Sequence, residues 1–112
     1  MIKDEITFSV FQKLDLRVGR VVSADLVAGS QKLLRLDVDL GKEIGIRLIL
    51  AGIKEWYKPM ALKNKKFIFL VNLEPKKMMG MESNGMILCV DDGSRAILIP
   101  INKSIPEGTV VR

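Results

Sequence analysis

Apolar and polar residues alternate along much of the chain in short runs, and a period of two residues is typical of β-strands. The clearest run covers residues 32–40, where Leu34, Leu36, Val38 and Leu40 alternate with polar residues. Such a strand buries one face and exposes the other. Similar runs predict strands over residues 14–22, 44–50, 66–73, 86–90 and 95–101, with a last short strand at 109–111.

Glycine, proline and a capping motif separate these strands. Gly19 predicts a bend or bulge in the first strand. Residues 9–12 have the spacing of a capping box, with Ser9 as the N-cap of a short helical turn. Phe8 and Phe11 would then plug one end of a barrel or face a partner subunit, and we expect the plug. Residues 53–58 predict one or two helical turns that end at Pro59.

The order of these elements predicts one all-β domain over residues 1–112. Five or six short strands with a short helix between strands 3 and 4 fit a small barrel. The best match is a five-stranded Greek-key barrel of the oligonucleotide/oligosaccharide-binding (OB) fold, and an SH3-like barrel is the alternative. A short N-terminal helical turn and a C-terminal strand-like extension would flank the barrel.

Composition narrows the class of protein. Hydrophobic residues at 48% and charged residues at 28% are typical of a folded globular domain. The apolar runs are too short to cross a bilayer, and residues 1–5 lack the pattern of a signal peptide. The single cysteine, Cys89, cannot form an internal disulfide, so we expect a cytoplasmic protein without a membrane partner. Cys89 itself is expected to fill the core.

The chain contains no histidine. This removes the commonest general base, the commonest metal ligand and every catalytic triad that uses imidazole. Together with the single cysteine, it excludes the usual zinc sites. We therefore expect no enzyme activity, no metal and no cofactor.

The positive charge is concentrated in one segment. Residues 54–77 hold seven lysines and two acidic residues, an excess equal to the whole net charge of +5. A localised basic surface is expected for a protein that binds a polyanion. Within residues 71–86, Pro75, Gly80 and Gly85 predict a loop that continues neither neighbouring strand. We expect Lys76 and Lys77 in this loop to contact nucleic acid, and lysines 63, 65 and 66 to be solvated strand flanks.

Trp56 and Tyr57 have two interpretations. They could stack on bases, or they could cover the barrel as apolar side chains. For Trp56 we expect the covering role.

Two motifs resemble a known family. Residues 14–21, Leu-Asp-Leu-Arg-Val-Gly-Arg-Val, resemble the opening strand of the tRNA-binding OB domain. Residues 71–77, Val-Asn-Leu-Glu-Pro-Lys-Lys, followed by Gly80, Ser83, Gly85 and Met86, resemble its signature loop. The domain occurs at the C-terminus of methionyl-tRNA synthetases, as a separate synthetase β subunit, in tyrosyl-synthetase-like cytokines and as the stand-alone protein CsaA. The resemblance covers residues 8–112 and departs from the family at 27–31, where many members have His-Pro.

The resemblance implies a non-catalytic, homodimeric, cytoplasmic module that binds tRNA through its backbone and shape. It is most similar to the methionyl-tRNA synthetase type, whose β subunit or C-terminal domain raises the enzyme's affinity for tRNA, so a synthetase catalytic chain is a possible partner. A CsaA-like chaperone or secretion factor that binds unfolded peptides is the alternative, and a pure assembly domain is a third. The tRNA-contacting residues implied are Lys32, Asn72, Lys76, Lys77, Ser83 and Met86.

These six side chains suit different parts of an RNA. The lysines would neutralise phosphates without reading sequence. Asn72 and Ser83 would reach 2′-hydroxyls or phosphate oxygens. Met86 would pack on a ribose or a base, or else belong to the core.

Overall fold

The structure is a computed structural model that describes residues 1–112. Helical structure is limited to α1 (Phe8–Phe11) and a 3-10 helix (Pro59–Ala61). No helix has both the length and the apolar character needed to span a bilayer. The strands are β1 (Leu16–Leu26), β2 (Leu34–Asp39), β3 (Ile46–Ala51), β4 (Lys66–Leu70), β5 (Lys76–Met78), β6 (Met81–Ser83), β7 (Met86–Ile87), β8 (Cys89–Asp91), β9 (Ala96–Leu98) and β10 (Val110–Val111).

Five strands form an antiparallel sheet in the order β3-β2-β1-β4-β7, and β10 pairs with the start of β1. The long strand β1 is shared, because residues 16–20 pair with β4 and residues 20–26 pair with β2. The sheet curls until the chain after β6 reaches β3, where the Asn84 N–H donates to the Leu48 carbonyl at 2.9 Å. This nearly closed barrel confirms the all-β prediction and is consistent with the OB fold.

Side chains fill the interior of the barrel. Leu34, Leu36, Val38 and Leu40 are fully buried, which confirms the inward face predicted for β2. The aromatic residues of β4 and Leu62, just after the 3-10 helix, complete the main core. Since this interior is packed, a ligand has to bind on the outer surface or in the loops.

The bulge of β1 does not fall at Gly19. The irregularity of β1 lies between Val21 and Ser23, two residues further on. A Cβ atom at Gly19 would lie 2.6 Å from Val38 Cγ1 and 2.9 Å from Phe69 Cδ1. Glycine stands here because the core side chains approach the backbone of β1 too closely for any side chain.

The N-terminal helical turn is confirmed with a different N-cap, whereas residues 53–58 form a hydrogen-bonded turn and not the predicted helix. Thr7, not Ser9, is the N-cap of α1, and its side chain accepts from the Val10 N–H. Pro59 begins the 3-10 helix rather than ending a helix, because the first helical position needs no N–H partner. Phe8 does not plug the barrel, since 71% of its surface is exposed, and its ring lies 6.3 Å from that of Phe11.

The C-terminal segment is fastened to the barrel by Lys66, which is buried, in contrast to the predicted solvated flank. Its ammonium group donates to the carbonyls of Lys103 and Ile105, at 2.8 and 2.5 Å. It also pairs with Glu107 at 2.7 Å. The Lys66 hydrogen bond holds the pKa of Glu107 below its usual value. The extension predicted at the C-terminus is therefore docked, and it ends in β10.

Candidate nucleic-acid interface

Residues 71–86 are more regular than the predicted loop. They contain a hairpin in which β5 and β6 pair across Met79 and Gly80. Both turn residues have positive φ values, 52° and 75°, as a two-residue type I′ turn requires. The two lysines of this segment are consequently held on a paired ribbon.

The ribbon places Lys76 and Lys77 on opposite faces. Lys76 lies across from Ser83, and Lys77 lies across from Glu82. Successive side chains of a strand point to opposite sides. Lys76 and Ser83 line a groove, whereas Lys77 and Glu82 do not. One ligand in this groove can therefore meet Lys76 directly, while Lys77 faces away beside an acidic residue.

The groove has a volume of about 710 Å³. One wall is the β5–β6 hairpin, a second is the end of β3 with the turn that follows it, and a third is the β8–β9 hairpin. Its lining includes the side chains of Ile53, Trp56, Met78, Met86, Ile87 and Cys89. Burial raises the pKa of the Cys89 thiol, which keeps this part of the groove uncharged. Cys89 was predicted to fill the core; it is half-buried, packs against the core from outside and borders the groove.

The two aromatic residues of the turn after β3 have different environments. The Tyr57 hydroxyl accepts from the Leu98 N–H at 3.2 Å, and its ring packs against the core. Trp56 lines the groove and keeps 37% of its surface exposed. Only Trp56 is placed to touch a ligand there.

Two of the six predicted contact residues are held by internal hydrogen bonds. The Asn72 side chain accepts from the Asp15 N–H at 2.8 Å and donates to the Lys13 carbonyl at 2.6 Å. The buried Ser83 hydroxyl accepts from the Leu50 N–H at 3.0 Å and donates to the Gly85 carbonyl at 3.4 Å. These bonds fix the two ends of the hairpin segment to the barrel.

Lys32 and Met86 are exposed at the same region of the molecule as the hairpin. The loop between β1 and β2 that carries Lys32 meets the hairpin tip, since a Cβ at Gly29 would lie 3.4 Å from Met79 Cε. Lys54 holds this loop in place, because its ammonium donates to the Ser30 carbonyl at 2.7 Å. Met86 follows the hairpin, lines the groove and keeps 52% of its surface exposed.

The lysines on this surface have no acidic partners. Arg17, Arg20, Arg35 and Lys66 make all the ion pairs in the structure, so Lys32, Lys76 and Lys77 have none. Sequence reasoning missed Arg95, which lines the groove from the β8–β9 hairpin. The turn residues Asp91-Asp92-Gly93-Ser94 predict the hairpin, but not that it folds back beside Trp56. No three His, Cys, Asp or Glu side chains come together in an arrangement that could hold a metal ion.

Residues 16–110 match a protein-family model described as "Putative tRNA binding domain". The chain belongs to this family. Among curated relatives, the tRNA-binding domain is 48% identical over 110 residues to "Methionine--tRNA ligase" of Methanococcoides burtonii. The match covers 97% of this chain and 16% of that ligase. The chain thus spans about one sixth of the length of the curated relatives it matches.

Solved structures with the same fold include proteins of two groups. A "MetRS related protein" from Pyrococcus horikoshii shares 36% identity at a TM-score of 0.92, covering 98% of this chain and all of that one. The "chaperone CsaA" of Bacillus anthracis shares 29% identity at a TM-score of 0.86, covering 97% of this chain and all of that one. The tRNA-binding domain is therefore similar to proteins of both groups.

Proposed function

We propose that this tRNA-binding domain is a non-catalytic module that binds tRNA and raises the tRNA affinity of a methionyl-tRNA synthetase. It would act as the β subunit of that enzyme or as the equivalent of its C-terminal domain. The family match over residues 16–110 supports the tRNA-binding part of the proposal. The similarity to methionine–tRNA ligases supports the choice of enzyme. A second tRNA site next to the catalytic one increases the effective concentration of tRNA without new catalytic contacts. Because the proposed role is in translation, we expect the module in the cytoplasm.

The structure supports a division of labour among the six predicted residues. Lys32, Lys76 and Met86 lie on the surface formed by the β1–β2 loop, the hairpin and the groove, and we assign them direct contacts with phosphates or ribose. Lys77 adds positive charge from the outer face of the hairpin. Because their polar groups are engaged internally, we assign Asn72 and Ser83 the role of holding the hairpin segment in position.

The test is a titration with folded tRNA at several salt concentrations, with duplex DNA of matched length as the competitor. We expect tighter binding to tRNA and a log–log salt slope of about −2 to −4, since a few phosphate contacts release a few counterions. Absence of tRNA binding by the wild-type protein would refute the function.

Lys76→Ala and Lys77→Ala form a matched pair within this titration, because they remove the same charge from neighbouring positions. Loss of a direct phosphate contact reduces the magnitude of the slope by about 1. We expect this for Lys76→Ala and a clearly smaller change for Lys77→Ala. Equal effects would show that the RNA does not distinguish the two faces of the hairpin.

We also propose a homodimer that forms through the surface around α1. Phe8, Leu14 and Val110 are exposed there and border a second cavity of about 510 Å³. Contiguous apolar surface of this kind is typical of an interface. Phe8→Ser should shift the sedimentation of a dimer toward the monomer. Met60→Ser, an exposed apolar residue of the 3-10 helix, is the control and should leave it unchanged.

A CsaA-like function in binding unfolded peptides is the second candidate. The likeness to the "chaperone CsaA" structure and the methionines of the groove favour it, since methionine adapts to varied apolar partners. A titration with an unfolded apolar peptide separates the candidates. Peptide binding that tRNA does not displace, together with weak tRNA binding, would favour the chaperone function.

A further inference from the structure

The groove beside the hairpin combines an exposed aromatic face with cations on separate walls. We propose that it takes one unpaired nucleotide of the bound RNA, with the base stacked on Trp56 and the adjoining phosphates on Lys76 and Arg95. This inference rests on the proposed function and names the part of the RNA that the groove recognises.

The groove has the size and the surface that a base requires. A volume of about 710 Å³ lies within the range of roughly 300–1,000 Å³ found for small-molecule sites. Eleven of its twenty lining residues are hydrophobic. Trp56 is held in a defined turn, because its N–H and that of Tyr57 both donate to the Ile53 carbonyl at 3.0 Å. An indole that such a turn carries at the edge of an apolar groove is a stacking platform that accepts any base.

The two cations suit the phosphates on either side of such a base. Lys76 belongs to β5, and Arg95 follows the turn of the β8–β9 hairpin, so they approach the groove from different elements. Neither forms an ion pair within the protein. An RNA strand that crosses the groove from one hairpin to the other would meet a cation at each side.

The acidic residues of the groove restrict what can lie inside it. Glu74 and Asp91 also line it, and Asp91 accepts from the Gly93 N–H at 2.8 Å. Their carboxylates would repel a phosphate placed beside them, whereas they can accept hydrogen bonds from the amino groups of a base. A base whose amino groups face these carboxylates, with its phosphates at Lys76 and Arg95, satisfies both signs of charge.

The occupant has to be unpaired. In an A-form duplex the bases are stacked and paired, and proteins contact mainly the backbone and the wide minor groove. Only a nucleotide that has left the helical stack, in a loop or at a single-stranded end, can place its base face against Trp56. Duplex RNA should therefore bind to the lysines around the groove without entering it.

Trp56 is the only tryptophan in the chain, so its fluorescence reports on the groove directly. The experiment titrates the full chain with a single-stranded oligoribonucleotide, with a duplex of the same length and with folded tRNA. Binding is followed in parallel by anisotropy of a label on the RNA. We expect the single strand and the tRNA to quench Trp56 on binding, and the duplex to bind without quenching.

Two variants complete the test. Trp56→Leu keeps the site apolar and removes the stacking face, and it should weaken binding of the single strand by about 5- to 150-fold. Arg95→Gln should weaken it and reduce the salt dependence, whereas Lys103→Ala, which removes an exposed lysine outside the groove, should not. If Trp56→Leu does not fold, the wild-type fluorescence and the comparison of Arg95→Gln with Lys103→Ala still test the nucleotide site.

Each outcome separates the inference from the function it rests on. Binding of tRNA without quenching, and with unchanged affinity in Arg95→Gln, would overturn the nucleotide site and leave the proposed function intact. Absence of RNA binding of every kind would overturn both. Quenching by an apolar peptide but not by RNA would assign the groove to peptide and likewise overturn the inference.

Discussion

Replacing Ser83 with alanine separates two roles that its side chain could have. Ser83 and Leu50 are both buried, with 5% and 6% of their surfaces exposed. In Ser83→Ala the N–H of the buried Leu50 loses its acceptor. An unsatisfied buried donor costs about 1–3 kcal/mol in the free energy of unfolding. We therefore expect Ser83→Ala to be less stable than wild type by about this amount.

The assay is urea unfolding followed by circular dichroism. With a slope near 2 kcal/mol/M, the midpoint should fall by roughly 0.5–1.5 M. Ser104→Ala is the matched control, because its exposed hydroxyl donates to Asn102 Oδ1 at 2.8 Å on the surface. Its unfolding free energy should stay within about 0.5 kcal/mol of wild type.

The affinity of the folded Ser83→Ala protein for tRNA completes this prediction. If Ser83 holds the hairpin, stability falls and any change in affinity comes from a displaced Lys76. An unchanged midpoint would refute the argument from the buried hydrogen bond. An unchanged midpoint with weaker tRNA binding would instead show that the hydroxyl contacts the RNA.

Two further predictions concern the barrel and its C-terminal segment. Gly19→Ala places a methyl group 2.6 Å from Val38 Cγ1. It should cost about 1–3 kcal/mol in the free energy of unfolding and lower Tm by roughly 4–12 °C. Gly52→Ala, with open space around its Cβ, is the control and should change Tm little. Equal Tm values for the two variants would contradict the close packing at β1. The pKa of Glu107 in the folded state lies below its ordinary value of 4.5. The pairing of Glu107 with Lys66 therefore stabilises the protein above pH 4.5. This stabilisation is lost as the pH falls through the lowered pKa. In urea unfolding, Glu107→Gln should be less stable than wild type at pH 7, and the difference should shrink in strong acid; a difference independent of pH would refute the prediction.

The strands that form the barrel could be predicted because the apolar–polar pattern that specifies each strand lies within its own residues. Leu34 to Leu40 alternate with charged residues, and one buried face follows from that alternation alone. The hairpin at residues 76–83 could not be predicted in the same way. Its strands have three residues each, and its turn places Met79 at a positive φ that methionine seldom adopts.

Residues whose role depends on distant contacts were the ones that sequence misplaced. Lys66 looks like its exposed neighbours along the chain, and only the approach of Glu107 and two carbonyls makes its burial possible. In the sequence, Gly19 predicts a bend or bulge. Its close contact with side chains of β2 and β4 is visible only in the folded structure. Phe8 looks like a core residue, yet nothing in the single chain covers it.

The candidate site was predictable in its location and not in its geometry. Sequence placed Lys76, Lys77 and Trp56 in one basic segment and Met86 shortly after it, with Lys32 elsewhere in the chain. Whether Lys76 and Lys77 act together depends on the pairing of β5 with β6, which assigns them to opposite faces. Ser83 and Asn72 have the chemistry of RNA-contacting residues, and their internal partners come from β3 and from the chain before β1.

The pairing of β10 with the first residues of β1 has a consequence for attachment. Leu16 lies opposite Val111, so the two ends of the domain leave the barrel side by side. The groove is lined only by residues between Leu50 and Ala96. The chain before β1 and the chain after β10 leave the barrel at the same edge. A further domain joined through either end would therefore attach at one and the same edge of the barrel.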